Sequence, residues 1–175
     1  MPAITDWSAR MREMMEFVGL GPSDLALVQD TAPLLVPHVA ELATAIYDHF
    51  LRFPEAGRFF LTGQGEVDQE RLSRRKHSLA RWFQATVDFK VDAEFPVFLL
   101  ATGLVHSHPS TLREHLGPVP PRFMIGTISF AQTALAQLLY QDMGDAQKAM
   151  LAAIAWSKLL MVQLDILLAG YLAEP

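Results

Sequence analysis

The stretch Phe95-Pro96-Val97-Phe98-Leu99-Leu100-Ala101-Thr102-Gly103-Leu104-Val105-His106 decides how this 175-residue chain is read. It carries no charge, nowhere alternates apolar with polar, and ends on an imidazole. An apolar run of this length with no period of two is a buried helix rather than a strand. Successive helical residues advance by about 100°, which puts Leu99, Thr102, Gly103 and His106 on one side, with a small-residue gap beside the imidazole. Upstream, Val36, Ala40, Ala43, Tyr47, Phe50 and Leu51 share a side, so Tyr47 points inward among apolar neighbours. A buried phenol needs a hydrogen-bond partner.

The rest of the chain also reads as helices, punctuated by Gly and Pro, with no repeat and no strand bounded by hairpin turns. A first helix is expected over 5–18, stopped by Gly19-Leu20-Gly21-Pro22, after which Ser23 caps a helix over 24–30. Pro33 suits the first turn of a long helix reaching about Phe53, with a kink at Pro37. Pro54 opens a short helical turn to Phe60, and Leu61 to Gly65 is a loop. Helices follow over 67–87 and 92–106. Pro109, Gly117, Pro118, Pro120 and Pro121 then impose a long connection. The closing helices, 122–140 and 144–172, are apolar on more than one face, so each is either central to the core or shared with another subunit. The expectation is an all-α fold in one domain, 1–175.

Composition excludes several classes of function. A net charge of -5 with no stripe of Lys and Arg leaves no electrostatic footprint for nucleic acid. The chain has no cysteine, which removes disulfides, iron–sulfur clusters, zinc–thiolate sites and a catalytic thiol at once. The N-terminus lacks a basic segment followed by an apolar one, so no secretory signal is read and the cytoplasm is the expected compartment. Residues 149–172 are greasy enough to raise a membrane span, but Lys158, Gln163 and Asp165 interrupt them, and a buried helix is the better reading.

Several segments in order carry a family resemblance: Ile46-Tyr47-Asp48-His49-Phe50-Leu51-Arg52-Phe53-Pro54-Glu55, the helix end Gly103-Leu104-Val105-His106, the start Pro121-Arg122-Phe123-Met124-Ile125-Gly126, and the closing Lys158-Leu159-Leu160, Leu164-Asp165 and Tyr171 pattern. In these the chain resembles the haem-binding domain of globin-coupled sensors and protoglobins, over nearly its whole length and including an extra helix before the usual globin start. The resemblance implies a globin-like sandwich of helices holding haem b, with His106 as proximal iron ligand and Tyr47 as the distal donor to bound oxygen. His108 and His115 are the rival imidazoles; Gly103 three residues before His106 favours the latter, whereas His115 sits in a proline-bracketed loop. Phe50, Leu79, Trp82, Phe83, Leu99 and Phe123 are the expected lining. The run Arg74-Arg75-Lys76-His77 departs from the family's more apolar distal helix, and Arg75 or Lys76 is expected to reach a haem propionate or the pocket mouth.

The resemblance further implies a sensor or carrier of O2, CO or NO rather than an enzyme, working as a homodimer through its last two helices. An output domain is expected beyond Pro175 if the chain is a sensor module. Two other readings stand beside it. One is a haem enzyme acting on peroxide or nitric oxide; the other is a haem-free globin-like module in which His106 and Tyr47 only pack.

Overall fold

The computed structural model describes residues 6–89, 94–108 and 116–172, and every regular element among them except one isolated bridge is helical. Helix α1 (Trp7–Phe17) starts where the Asp6 carboxylate accepts the Ala9 N–H at 2.9 Å. Helix α2 (Pro22–Leu35) starts at Pro22, with the Asp24 carboxylate accepting the Gly21 N–H at 3.1 Å. A single 3-10 turn (Val36–His38) leads into α3 (Val39–Leu51). The short α4 (Pro54–Gly57) runs into a second 3-10 turn (Arg58–Phe60). Then come α5 (Gln69–Val87), α6 (Glu94–Ser107), α7 (Pro121–Asp142) and α8 (Ala146–Leu172).

The long helix expected from Pro33 to Phe53 is therefore two helices. Helix α2 passes through Pro33 unbroken, since the Val36 N–H still bonds the Ala32 carbonyl, and the chain bends at Pro37 instead. The cap of α2 is likewise Gly21 rather than Ser23. Asp68 caps α5 by accepting the Arg71 N–H at 2.9 Å, two residues later than expected, because Val67 pairs with Leu61 in the isolated bridge.

Helix α8 is the axis of the molecule, packed on α1, α2, α6 and α7, while α3 packs mainly on α5. Trp156, Leu159, Leu160, Val162 and Ile166 of α8 are fully buried. By length and apolarity both α7 and α8 could cross a membrane, but the apolar surface of α8 is largely covered by its neighbours, as befits a core helix. The charges that interrupt its sequence have partners within the fold. Asp165 receives a two-pronged bond from Arg10 of α1 at 2.7 and 2.8 Å, and Lys158 reaches Asp24 at 2.9 Å and the Gly19 carbonyl at 2.8 Å. The extra N-terminal helix is thus pinned to the core by charge as well as by Met11 and Met15.

Where α6 crosses α8, Gly103 meets Gly170. A Cβ on Gly103 would strike the Leu167 carbonyl oxygen, and one on Gly170 would lie 2.7 Å from the Leu104 nitrogen. Only glycines allow this approach. Ser107 fastens the same crossing by donating to the Gly170 carbonyl at 3.0 Å.

Candidate functional site

A cavity of about 370 Å³ is walled by α3 and α5, by α6 and α8, and by the start of α7. Its lining is chiefly aromatic and aliphatic, with Tyr47, His106 and a few arginines as the polar groups able to act chemically.

His106 comes from the last turn of α6. Its Nδ1 lies 2.7 Å from the Thr102 carbonyl, which can only accept, so Nδ1 carries the proton and Nε2 keeps its lone pair. Burial lowers its pKa, outweighing the Thr102 carbonyl, which favours the charged form. The imidazole is therefore neutral, the form a metal requires. The Val119 N–H donates to the His106 carbonyl at 2.9 Å, which brings Leu116, Gly117 and Val119 back along the same wall.

Tyr47 comes from the middle of α3 and is 8% exposed, with its ring edge-on to Phe60 at 5.2 Å and Phe50 at 5.7 Å. Its hydroxyl makes no hydrogen bond with any described residue. Burial pushes its pKa well above the usual phenol range, so it stays protonated and able to donate. From α5 come Arg71, Arg75, Ser78, Leu79, Arg81 and Trp82. The Trp82 indole N–H donates to Gln163 of α8 at 2.9 Å, which fixes the ring against the cavity.

A family model for Protoglobin matches residues 8–175. The chain belongs to the Protoglobin family. It is a globin, and globin domains bind haem. Among solved structures, the protoglobin is similar to the globin domain of a Geobacter sulfurreducens globin-coupled sensor, with a TM-score of 0.73 and 20% identity over 92% of this chain and 97% of that one. It is also similar to the globin domain of E. coli DosC. The ferric form gives 0.67 and 15% identity over 92% and 99%, and the ferrous form 0.69 and 15% over 89% and 97%. No curated protein sequence matches.

In this protoglobin the cavity brings together His106, Tyr47, Phe50, Leu79, Trp82, Phe123 and Arg75. Phe83 and Leu99 do not line it: both are buried in the core instead, Phe83 beside Trp82 with ring centroids 4.7 Å apart. The expectation for Leu99 fails because α6 is apolar on every side, so periodicity alone cannot choose its cavity face. The stripe in use is Phe98, Ala101, Thr102 and Val105, while Gly103, and with it Leu99 one turn earlier, turns to α8. Lys76 is diverted to Asp48 at 3.0 Å, leaving Arg75 as the cation of that pair on the cavity.

Sequence reading missed Phe59, Phe60, Met124, Ile128 and Leu167 of the lining. These come from segments whose faces only tertiary packing selects. His108 is exposed, with Nδ1 2.9 Å from the Ser107 hydroxyl and no place in the cavity; His115 lies outside the described residues.

Proposed function

We propose that this protoglobin holds haem b in the cavity, with His106 as the proximal ligand and Tyr47 as hydrogen-bond donor on another wall, and that it binds and reports O2 or a related gas. The observation that carries this reading is the pairing, in one apolar cavity, of an imidazole whose Nδ1 is tied to Thr102 with a buried phenol whose hydroxyl has no partner among the described residues. When bound, haem supplies the ferrous iron at which a diatomic gas is taken up.

The residues present fit such a group. The cavity volume falls in the range of cofactor sites, roughly 300–1,000 Å³. Among the described residues no three His, Asp or Glu side chains converge, so a metal held by His106 must bring most of its ligands with it, as a porphyrin does. Phe50, Leu79, Phe98 and Phe123 give apolar walls, and Thr102 orients the imidazole through Nδ1. Arg81, at the exposed edge of α5, suits the porphyrin carboxylates.

We further infer that two copies pair through α7 and α8. The support is a set of apolar side chains left outside on these helices, including Ile125, Met150 (56% exposed), Leu151 and Ile154 (45% exposed). The absence of cysteine fits a cytoplasmic protein, and the chain is read as a binding domain rather than a catalyst.

Titration of the purified chain with haem is the deciding experiment. A Soret band should develop to one haem per chain, and resonance Raman should report an iron–histidine stretch that His106→Ala abolishes. A flat absorption spectrum, or unchanged ligation in His106→Ala, sinks the reading.

A further inference from the structure

Gln163 is a polar side chain in the middle of the most apolar helix of the core. It lies on α8, is wholly buried, and has Leu159, Leu160, Val162, Leu164 and Ile166 around it in sequence, all buried too. Its Oε1 accepts the Trp82 indole N–H at 2.9 Å and faces the Thr86 hydroxyl at 3.1 Å, both on α5. The carbonyl oxygen is thus fully used, while Nε2, with two N–H donors, has no partner among the described residues. Turning the amide over would set one of those N–H groups against the indole N–H, so Trp82 fixes its orientation. The Thr86 hydroxyl also has the Trp82 carbonyl at 2.8 Å, and the indole is the donor with no acceptor but Gln163 among the described residues.

A buried amide with two unused donors carries a free-energy cost that a methionine or leucine of similar volume would avoid. What the amide secures is the place of one ring. Trp82 is buried and lines the cavity, whereas Gln163 does not reach it. Helix α5 packs on α3 and α2 and meets α8 only lightly, so the bond from Trp82 is a polar bridge between two elements that otherwise stand apart. One turn further along α8, Leu167 lines the cavity itself, and Gly170 then meets Gly103 of α6. The walls supplied by α5 and by α6 are therefore both fastened to about two turns of α8, between Gln163 and Gly170.

We infer that Gln163 is a positioning residue for gas binding, which acts without touching the cavity by holding the Trp82 ring in place as one of its walls. The inference rests on the haem reading above. With its acceptor gone, the indole is free to turn about its side-chain bonds, and the space beside it loses a defined shape. A gas held in a looser cavity leaves it faster.

The test begins on the full chain without haem. Trp7, Trp82 and Trp156 give three indole N–H resonances in a proton–nitrogen NMR spectrum, and the one that Trp82→Phe removes belongs to Trp82. It should move upfield in Gln163→Met, which keeps the length of the side chain and loses the amide. It should stay near its wild-type place in Gln163→Glu, whose buried carboxyl is neutral and still presents a carbonyl oxygen. With haem bound, oxygen dissociation by stopped flow should be about threefold or more faster in Gln163→Met and within about twofold of wild type in Gln163→Glu. In the Trp82→Phe background, Gln163→Met should alter the rate by less than about 1.5-fold. An indole resonance that Gln163→Met does not move overturns the inference, as does an unaltered oxygen rate when the resonance has moved. An equal change of rate in Gln163→Glu would assign the effect to packing, and an equal change in the Trp82→Phe background would route it around the indole; either result also overturns it. Wild-type protein that takes up no haem sinks the haem reading and the positioning role with it, while the indole resonance still reports the bond itself.

Discussion

Tyr47 shows how burial turns an ordinary side chain into a committed donor. Its phenol titrates above the usual value of 10 in the folded chain, so the proton stays on oxygen throughout the neutral range. Tyr47→Phe removes the O–H and little else, and the oxygen dissociation rate measured by stopped flow should rise about tenfold, the equivalent of one hydrogen bond of roughly 1.4 kcal/mol. The raised pKa also sets a pH dependence. An unfolded phenol ionises near pH 10 and the folded one later, so the stability tied to the neutral form is whole below pH 10 and is lost as pH rises above it. Urea midpoints of the haem-free protein at about pH 9 and pH 11 should therefore converge in Tyr47→Phe relative to wild type. Tyr171, whose pKa is raised for the same reason, adds a slope of the same sign to both proteins and cancels in the comparison.

At the scale of elements, the crossing of α6 and α8 depends on two residues with no side chain. Gly103→Ala places a methyl group against the Leu167 carbonyl, part of a backbone that cannot swing away, and should cost about 1–3 kcal/mol by urea denaturation with the slope unchanged. A midpoint within error of wild type would mean that the helices separate freely. The Trp82 tie is a second such joint. Gln163→Leu leaves the buried indole N–H without an acceptor and should cost about 1–3 kcal/mol on the same assay. Much of this level was legible in the sequence. The helix starts at Trp7, Gln69 and Ala146 fall within two residues of expectation, because Asp6, Asp68 and Asp145 accept the N–H groups that open them. The break between α2 and α3 was misplaced because Pro33 and Pro37 carry the same local signal, and only packing decides which one bends the chain. Leu99 was misplaced for a related reason: a helix without a polar side has no period to read. His106 and Tyr47 stand out in the sequence as polar groups in largely apolar segments, and the roles expected of them come from the family resemblance.

For the whole molecule, the exposed apolar residues of α7 and α8 make self-association the property to measure. Ile154→Glu places a charge within that surface and should shift the protein to monomer in sedimentation velocity while leaving the Soret band in place, since Ile154 is remote from the cavity lining. A wild-type monomer at high micromolar concentration would remove α7 and α8 as a pairing surface. The contact between Gly103 and Gly170 bears on how such an assembly could be driven. Most helix pairs meet through side chains, which act as soft springs and absorb small displacements. Here the α6 and α8 backbones touch directly, so the joint has high stiffness and little compliance. Movement of His106 along α6 reaches α8 almost undamped, and it does so at Gly170, within one turn of the last described residue, Leu172. In mechanical terms α6 and α8 form a rigid bell-crank, with its input arm at the imidazole and its output arm at the C-terminal end of the core helix.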